Sequence, residues 1–506
     1  MSKISITGIP ARNSAIKGEE FVAKIVRESM GLYGLNLGSD KADKISNDGD
    51  FIAEQLFPTI ENEFERWGAK QVNKNVKKIN NEVGDFSSTA WALHETIIKE
   101  ALRYLPTEKT IKAKKTYSEV KQMIDESKDK VIVQLKEMAT PISSKEELIK
   151  AALVSVEDEK IAEMLGSMQW ELGPEGRIIA EEVNAKESSI EKVDGIVLDN
   201  GFVSSSWITN PEKNTLELSV PTPILLTNYV IGEPELKTLR ESIFKTLAIQ
   251  GKKACILMAR AFTPEAIKDV TEGKNEFAVI LINAPYTDQR EVMKDIEAVV
   301  GGRYIDTEEA TLADIYITDI GCAKSIIARQ FKAVISGIED EQYKTRVLKR
   351  AEFLKGKVEG SESDFEKRAI AERIAQLTKG FALLKVGSLS EADRARLKDK
   401  CDDGVNTVRN ALREGTVRGA GIALKEISDK MEEGDILKRP LRCIYDQIIS
   451  SAPEGWEAAE WVRDAYWSLK VVLERTCAFI PTFVSINAIV TEANPEKCHC
   501  NIKQNE

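Results

Sequence analysis

The sequence predicts a multidomain chain of mixed helix and sheet, in which a helical framework is interrupted by an α/β domain and then resumed. Three observations carry this. The chain has 506 residues, more than one hydrophobic core accommodates, so several domains are expected. Apolar residues recur at three and four along much of the first 138 residues and again through most of the stretch from 390 to 480, the spacing of amphipathic helices. Between them stand continuous apolar runs, Ala254-Cys255-Ile256-Leu257-Met258 and Phe277-Ala278-Val279-Ile280-Leu281-Ile282, whose length and branching suit buried strands.

Composition narrows the function. A hydrophobic fraction of 42% with 30% charged residues is that of a soluble globular protein, and a net charge of −11 argues against nucleic-acid binding, which favours a basic surface. No basic-then-apolar leader opens the chain, and no apolar run approaches the roughly 20 residues that span a bilayer, so a cytoplasmic protein without membrane contact is expected. The seven cysteines are scattered, which fits a reducing compartment better than a disulfide framework. Cys498-His499-Cys500 is spaced more tightly than zinc ligand pairs and reads as part of a polar tail. With only two histidines, His94 and His499, the chemistry falls mainly to carboxylates.

Residues 3–7 read as a short strand. Apolar residues at 21, 22, 25, 26 and 30 mark a helix ending in Gly31-Leu32-Tyr33-Gly34, a turn that serves either as a plain C-cap or as a close backbone approach to a ligand. Ile45-Ser46-Asn47-Asp48-Gly49 is a turn signal. A long helix follows, carrying Ile52, Leu56, Ile60, Phe64, Trp67, Val72, Val76 and Ile79 and bent near Pro58. Then comes Gly84-Asp85-Phe86-Ser87-Ser88-Thr89-Ala90, an acidic residue and three hydroxyls ahead of an amphipathic run to Leu105. Such residues cap helices, and the unpaired N–H groups of a helix start also suit phosphate, beside which a carboxylate can hold Mg²⁺. An ordinary capped helix is the alternative. A charged helical pair is expected around 108–138.

After Thr140-Pro141 the spacing predicts helix over 145–166, a turn at Gly173-Pro174-Glu175-Gly176, and short strands. From Gly195 the pattern is that of a self-contained α/β domain of about 180 residues, an ordinary domain size. A charged helix pair over 338–376 and a strand at Phe381–Val386 precede a helix whose apolar stripe is Leu397, Cys401, Val408 and Leu412, with Asp402 and Asp403 off it. Gly415-Thr416-Val417-Arg418-Gly419-Ala420-Gly421 is a glycine-rich turn into another helix. The last helix is expected to carry Asp464, before a strand-like Phe483–Val490.

Taken in this order, the pieces resemble the group I chaperonins, the GroEL-like ring ATPases, over roughly residues 20–493. The family's phosphate loop, Leu-Gly-Pro-Lys-Gly-Arg-Asn, matches Met30-Gly31-Leu32-Tyr33-Gly34-Leu35-Asn36. Its Lys-Asp-Gly matches Asn47-Asp48-Gly49, and its Gly-Asp-Gly-Thr-Thr-Thr-Ala matches Gly84 to Ala90. Its catalytic aspartate before a triple-glycine turn matches Asp403 with Gly419-Ala420-Gly421, and its late nucleotide-site aspartate matches Asp464.

The resemblance implies ATP and Mg²⁺ as cofactors. Asp85 would hold the metal and Asp403 would orient or deprotonate the attacking water, helped by Asp48. Ser29, Met30, Gly31, Leu32, Asn47, Phe86, Ser87, Ser88, Thr89, Gly421 and Asp464 would complete the nucleotide site. It implies an equatorial domain in two parts, 1–137 and 414–506, an intermediate domain at 138–193 and 380–413, and an apical domain at 194–379. Hinges fall at Pro141, Gly195, Gly380 and Gly415. It implies seven-membered rings of identical subunits and non-native client proteins held at Phe202, Trp207, Phe244 and Ile267, with core packing the alternative for Phe202 and Trp207.

The departures are specific. Leu32 and Tyr33 replace the proline and lysine of the phosphate loop, Asn47 replaces a lysine, and Phe86 a glycine. Ser206, Glu241, Thr271 and Glu272 replace apolar groove positions, which leaves a GroES-like co-chaperonin open. No insertion is long enough for a built-in lid, and Cys498-His499-Cys500-Asn501 stands where the family has a methionine-glycine tail. Such divergence suits a phage-encoded member or a specialised paralogue. The expectation is an ATP-dependent folding machine, with an ATP-independent holding or scaffolding relative as the alternative.

Overall fold

Pro58 does more than bend the helix around it. Its ring removes a donor and clashes with the preceding turn, so helix Gly49–Leu56 gives way to one turn of 3-10 helix at Phe57–Thr59. A new helix, Glu63–Val83, then starts at Asn62, whose Oδ1 accepts from the Phe64 and Glu65 N–H groups at 2.9 and 3.3 Å. The computed structural model describes residues 3–31, 33–39, 44–106, 115–211, 214–272, 277–283, 289–338, 341–361 and 363–492. Leu32 and the Cys498-His499-Cys500 tail lie outside them.

The chain divides into two units. The first comprises residues 1–174, 180–189 and 385–506, and the second 175–179 and 190–384. The chain passes between them after Pro174, within strands Arg177–Glu182 and Phe381–Val386, and at the start of Ser189–Val193.

In the first unit, the two ends of the chain meet. Strand Lys3–Thr7 pairs antiparallel with Ala488–Glu492, Ser5 opposite Val490. Helices Ile9–Arg27, Glu63–Val83, Ser87–Leu102, Tyr117–Met138, Ile422–Lys430, Lys438–Ser451 and Tyr466–Val484 enclose one apolar core. Trp91, Ile97, Val72, Leu135, Leu473 and Ile480 are fully buried in it, each contributing on the order of 2 kcal/mol by leaving water. Beside this bundle, the hairpin of helices Lys145–Val156 and Glu159–Leu172 packs on helix Glu391–Glu414, the carrier of Asp403. Leu148, Leu165, Cys401 and Val408 are buried there.

The second unit is built on one mixed sheet. Its strands run in the order Ala278–Asn283, Ala254–Ala259, Thr222–Thr227, Gly321–Arg329, Lys332–Gly337, Ile196–Leu198. The first three are parallel and the rest antiparallel. Alternation explains why the two apolar runs are continuous. Ile256 and Met258 face one core cluster while Cys255 and Leu257 face another, so both sides of the strand are covered. Helices Gln289–Val300, Glu341–Gly360 and Asp364–Lys379 are tied by Asp295, whose two oxygens meet Arg350 Nε at 2.7 Å and Arg373 Nε at 2.6 Å.

Several expectations are corrected. Helix covers Tyr117–Met138 as a single element where a pair was expected, residues 107–114 being outside the described ones. Asp464 sits in a three-residue strand, Arg463–Ala465, and helix rather than strand continues through Val484. Phe202 and Phe244 are 4% and 3% exposed. Phe202 is bridged to Ile282 of the sheet, and Phe244 stacks on Phe277 with ring centroids 5.8 Å apart. Their bulk fills the core and is withdrawn from any client surface. Trp207 and Ile267 are partly buried against the same clusters.

Candidate functional site

The first unit contains a cavity lined by Asp48, Asp85, Asp403 and Asp464, four carboxylates drawn from four distant stretches of sequence. Each arrives by a local device. Asp48 is the N-cap of helix Gly49–Leu56, its Oδ1 accepting from the Phe51 N–H at 2.7 Å. Asp85 precedes helix Ser87–Leu102 in a turn, and its Oδ1 accepts from the Phe86 N–H. Asp403 projects from the middle of helix Glu391–Glu414. Asp464 lies opposite Val417 where strand Arg463–Ala465 pairs with Thr416–Arg418.

The hydroxyls of the helix start knit these elements together. Ser87 Oγ donates to Asp48 Oδ2 at 3.2 Å and accepts from the Gly49 N–H at 3.2 Å. Ser29 Oγ gives its proton to the Val26 carbonyl at 2.7 Å and so accepts from Ser88 Oγ at 3.1 Å. Gly49 is needed for this contact, since a Cβ there would stand 2.8 Å from both Ser87 Oγ and Ser88 Oγ. Gly34 serves the neighbouring turn, where a Cβ would come within 2.1 Å of the Ser29 carbonyl oxygen. Phe86 supplies no side-chain cap, which leaves N–H groups of the first helical turn for a ligand at the cavity.

Backbone strain is concentrated here. Among the described residues, four non-glycines hold positive φ: Phe86 (69°), Glu157 (56°), Asn214 (52°) and Ala420 (54°). Three of them, Phe86, Glu157 and Ala420, line this cavity. Left-handed backbone costs a residue with a Cβ on the order of 1–3 kcal/mol, and such strain collects at functional sites. Phe86 thus keeps the turn that a glycine would adopt freely, with its ring partly buried against the bundle core.

The electrostatics are those of a site short of cations. Burial, then repulsion from Asp85 and Asp48, pushes Asp403 well above the usual carboxylate range. Burial raises Asp85 too, opposed by hydrogen bonds from Phe86 and Thr407 and by the charge of Lys400. Asp464 rises to about 7 through burial and the Asp85 charge, with Arg463 pulling the other way. Among the described residues no group of three or more Asp, Glu, His or Cys could hold a metal by itself. Mg²⁺ commonly takes one or two carboxylates and completes its shell with water and phosphate oxygens, so Asp85 with a bound phosphate fits it.

All the expected nucleotide and catalytic positions among the described residues line this one cavity: Ser29, Met30, Gly31, Asn47, Asp48, Asp85, Phe86, Ser87, Ser88, Thr89, Asp403, Gly421 and Asp464. Sequence reasoning missed Glu157, Lys400, Thr407 and Arg418, and the apolar wall of Leu424, Ile444, Ile448, Trp456 and Val462. Lys400 and Thr407 were within reach, since they lie three before and four after Asp403 on one helix face. Nothing in the sequence signalled Trp456. It meets the ring of Tyr33 edge-on at 6.1 Å, at the position matched to the family's phosphate-loop lysine, while Tyr33 stays 42% exposed. Of the four expected hinge residues, Gly415 ends helix Glu391–Glu414 at φ 83° and Pro141 follows Thr140, which is bridged to Thr416. Gly195 and Gly380 each press on backbone, a Cβ on them meeting Ile335 and Val193 oxygens at 2.2 and 2.3 Å.

No family model matches the chain. Its architecture is nonetheless that of a chaperonin: the chain has the chaperonin fold over nearly its whole length. In particular, it is similar to the chaperonin gp146 from the bacteriophage EL 2 (Pseudomonas aeruginosa), known in two crystal forms in the presence of ATP-BeFx. Crystal form II superimposes with a TM-score of 0.71 at 15% sequence identity, covering 97% of this chain and 100% of that one. Crystal form I gives 0.69 at 15% identity, with 97% and 99% coverage.

Proposed function

We propose that this protein is an ATP-hydrolysing chaperonin that holds non-native proteins in a ring of identical subunits and promotes their folding through ATP-driven domain movement. The observation that carries the proposal is the meeting of Asp48, Asp85, Asp403 and Asp464 at one strained cavity beside a helix start. Hydrolysis of a phosphoanhydride asks for positioning and charge neutralisation more than covalent help. The N–H groups and hydroxyls at Ser87–Thr89 suit the phosphates. Asp85 would hold Mg²⁺, which supplies charge neutralisation on the phosphate oxygens when bound. The apolar wall around Ile448 and Trp456 suits the base.

In the reaction, a water oxygen forms the new bond to the terminal phosphorus. The bridging P–O bond breaks with its electron pair leaving on ADP, and the water's proton passes to Asp403. Asp403 must be ionised to accept that proton, and Mg²⁺ on Asp85 would offset the Asp85 repulsion that adds to burial in raising its proton affinity. Pro141 and Gly415, with Gly195 and Gly380, are proposed as the joints that move. The ring is proposed to be heptameric and cytoplasmic, in a host cell if the gene is carried by a phage.

The holding alternative is favoured by one observation, the edge-on contact of Tyr33 with Trp456 where the family places a lysine. Refolding separates the two. A chemically denatured enzyme diluted into the purified protein should regain activity with ATP and Mg²⁺ and not without them, and the protein should migrate as a ring. Protection against aggregation that is indifferent to ATP would support the holding reading. A monomer of 56.3 kDa at micromolar concentration would refute both.

A further inference from the structure

The cavity is rich in carboxylates, and a nucleoside triphosphate brings more negative charge to it. Among the described residues, three cations line the wall: Lys400, Arg418 and Arg463. Arg418 is engaged with Glu426 at 2.6 Å. Arg463 spends its guanidinium on the Thr416 hydroxyl and carbonyl at 2.8 and 2.9 Å, and on Thr140, tying down the strand that carries Asp464. Lys400 is different. Its side chain is 12% exposed, and its Nζ donates to Glu157 Oε1 at 2.9 Å, from a glutamate held in left-handed backbone.

Lys400, Asp403 and Thr407 succeed one another at three and four residues along helix Glu391–Glu414, hence on one face. Lys400 is also the cation whose charge acts on both Asp85 and Asp403. A lysine presents a compact charge on a flexible four-carbon stem, and a single carboxylate contact leaves it free to re-aim.

We propose that Lys400 is a further catalytic residue: on binding of a nucleoside triphosphate its ammonium exchanges Glu157 for the terminal phosphate and neutralises the charge that develops on the bridging oxygen as its bond to that phosphate breaks. Glu157 stores the lysine between turnovers. The cation that the loop at Gly31–Gly34 lacks is thereby delivered from the helix of Asp403, tying phosphate charge to the element that carries the base. This rests on the reading of the cavity as a nucleotide site.

The test uses the full-length protein with Mg²⁺ and compares wild type with Lys400→Met, Lys400→Arg and Glu157→Gln. ATP and ADP affinities are measured by calorimetry and phosphate release in a single turnover. Lys400→Met is expected to lose about tenfold or more of the preference for ATP over ADP, with ADP affinity within about threefold of wild type. Its phosphate release should fall about 100-fold, the size of effect seen when one preorganised transition-state group is removed. Lys400→Arg should recover most of the ATP preference. Glu157→Gln should raise it, because the lysine loses its competing partner.

A Lys400→Met variant with the wild-type ATP-to-ADP ratio and release within about threefold would overturn the proposal while leaving the nucleotide site intact. Wild type that binds neither nucleotide would overturn the nucleotide reading itself, and this proposal with it. Wild type that binds both without hydrolysis leaves the ratio to decide. If Lys400→Met does not fold, the Glu157→Gln shift decides, and its absence counts against the proposal.

Discussion

Thr407 Oγ1 donates a hydrogen bond to Asp85 Oδ2 at 3.1 Å, joining residues 322 positions apart. Through it, the helix that presents Asp403 also fixes the carboxylate assigned to the metal. With its proton given to Asp85, Thr407 Oγ1 accepts from Ser155 Oγ at 2.8 Å, so the same hydroxyl reaches a third element.

Thr407→Val keeps the shape and removes that hydroxyl. A hydrogen bond to a charged group contributes roughly 1.5–3 kcal/mol, so Mg²⁺-dependent nucleotide affinity should fall about tenfold or more. Titration calorimetry with and without Mg²⁺ checks this. An unchanged Mg²⁺ dependence would separate Asp85 from the metal.

Ala420→Gly is expected to stabilise the protein by about 1 kcal/mol, because a Cβ at φ 54° is strained and glycine relieves it. Urea unfolding measures the shift. Phe86 is a poorer place for the same experiment, since its ring also packs against the core and its removal costs contacts.

Glu19 is fully buried in helix Ile9–Arg27, and among the described residues neither of its carboxylate oxygens has a hydrogen-bond partner. Burial, then the charges of Glu95 and Glu20, raises its proton affinity well above normal, with Lys99 and Arg27 acting in the opposite sense. The folded state therefore holds a proton that the unfolded state has released, and stability falls as pH rises from the ordinary glutamate range toward the folded-state value. Glu19→Gln should accordingly gain stability over wild type as pH increases, with little difference near pH 4. Thermal melts of the two across that range would show it, and parallel curves would contradict it.

Phe202→Ala and Phe244→Ala should each cost on the order of 3–5 kcal/mol in stability of the second unit, the loss expected for a buried aromatic. Selective loss of client capture with normal stability would place them back on a binding surface.

Local features flagged the stretches of three aspartates, Asp48 in a turn signal, Asp85 at a helix start and Asp403 on a helix ahead of a glycine turn, but each also read as ordinary structure, and only the family resemblance joined them with Asp464 into one expected site. What the sequence concealed was tertiary. The Lys400–Glu157 pair spans 243 residues and the Thr407–Asp85 bond 322, and no local pattern announces either. Asp464 was misplaced onto a helix because a three-residue strand is too short to show a period of two. Phe202 and Phe244 were misplaced because an apolar side chain reads alike whether it lines a groove or fills a core. The two apolar runs, by contrast, named two strands of the sheet directly, since covering both faces leaves no polar alternation.

The central claim is that this cavity hydrolyses ATP with Asp403 at the reacting water. Steady-state phosphate release by wild type beside Asp403→Ala, with nucleotide affinity measured in parallel, tests it most directly. Wild type is expected to turn over and the variant to lose about 100-fold or more, with affinity within about threefold, as for a group that acts mainly in the transition state. An Asp403→Ala protein that releases phosphate at the wild-type rate would contradict it.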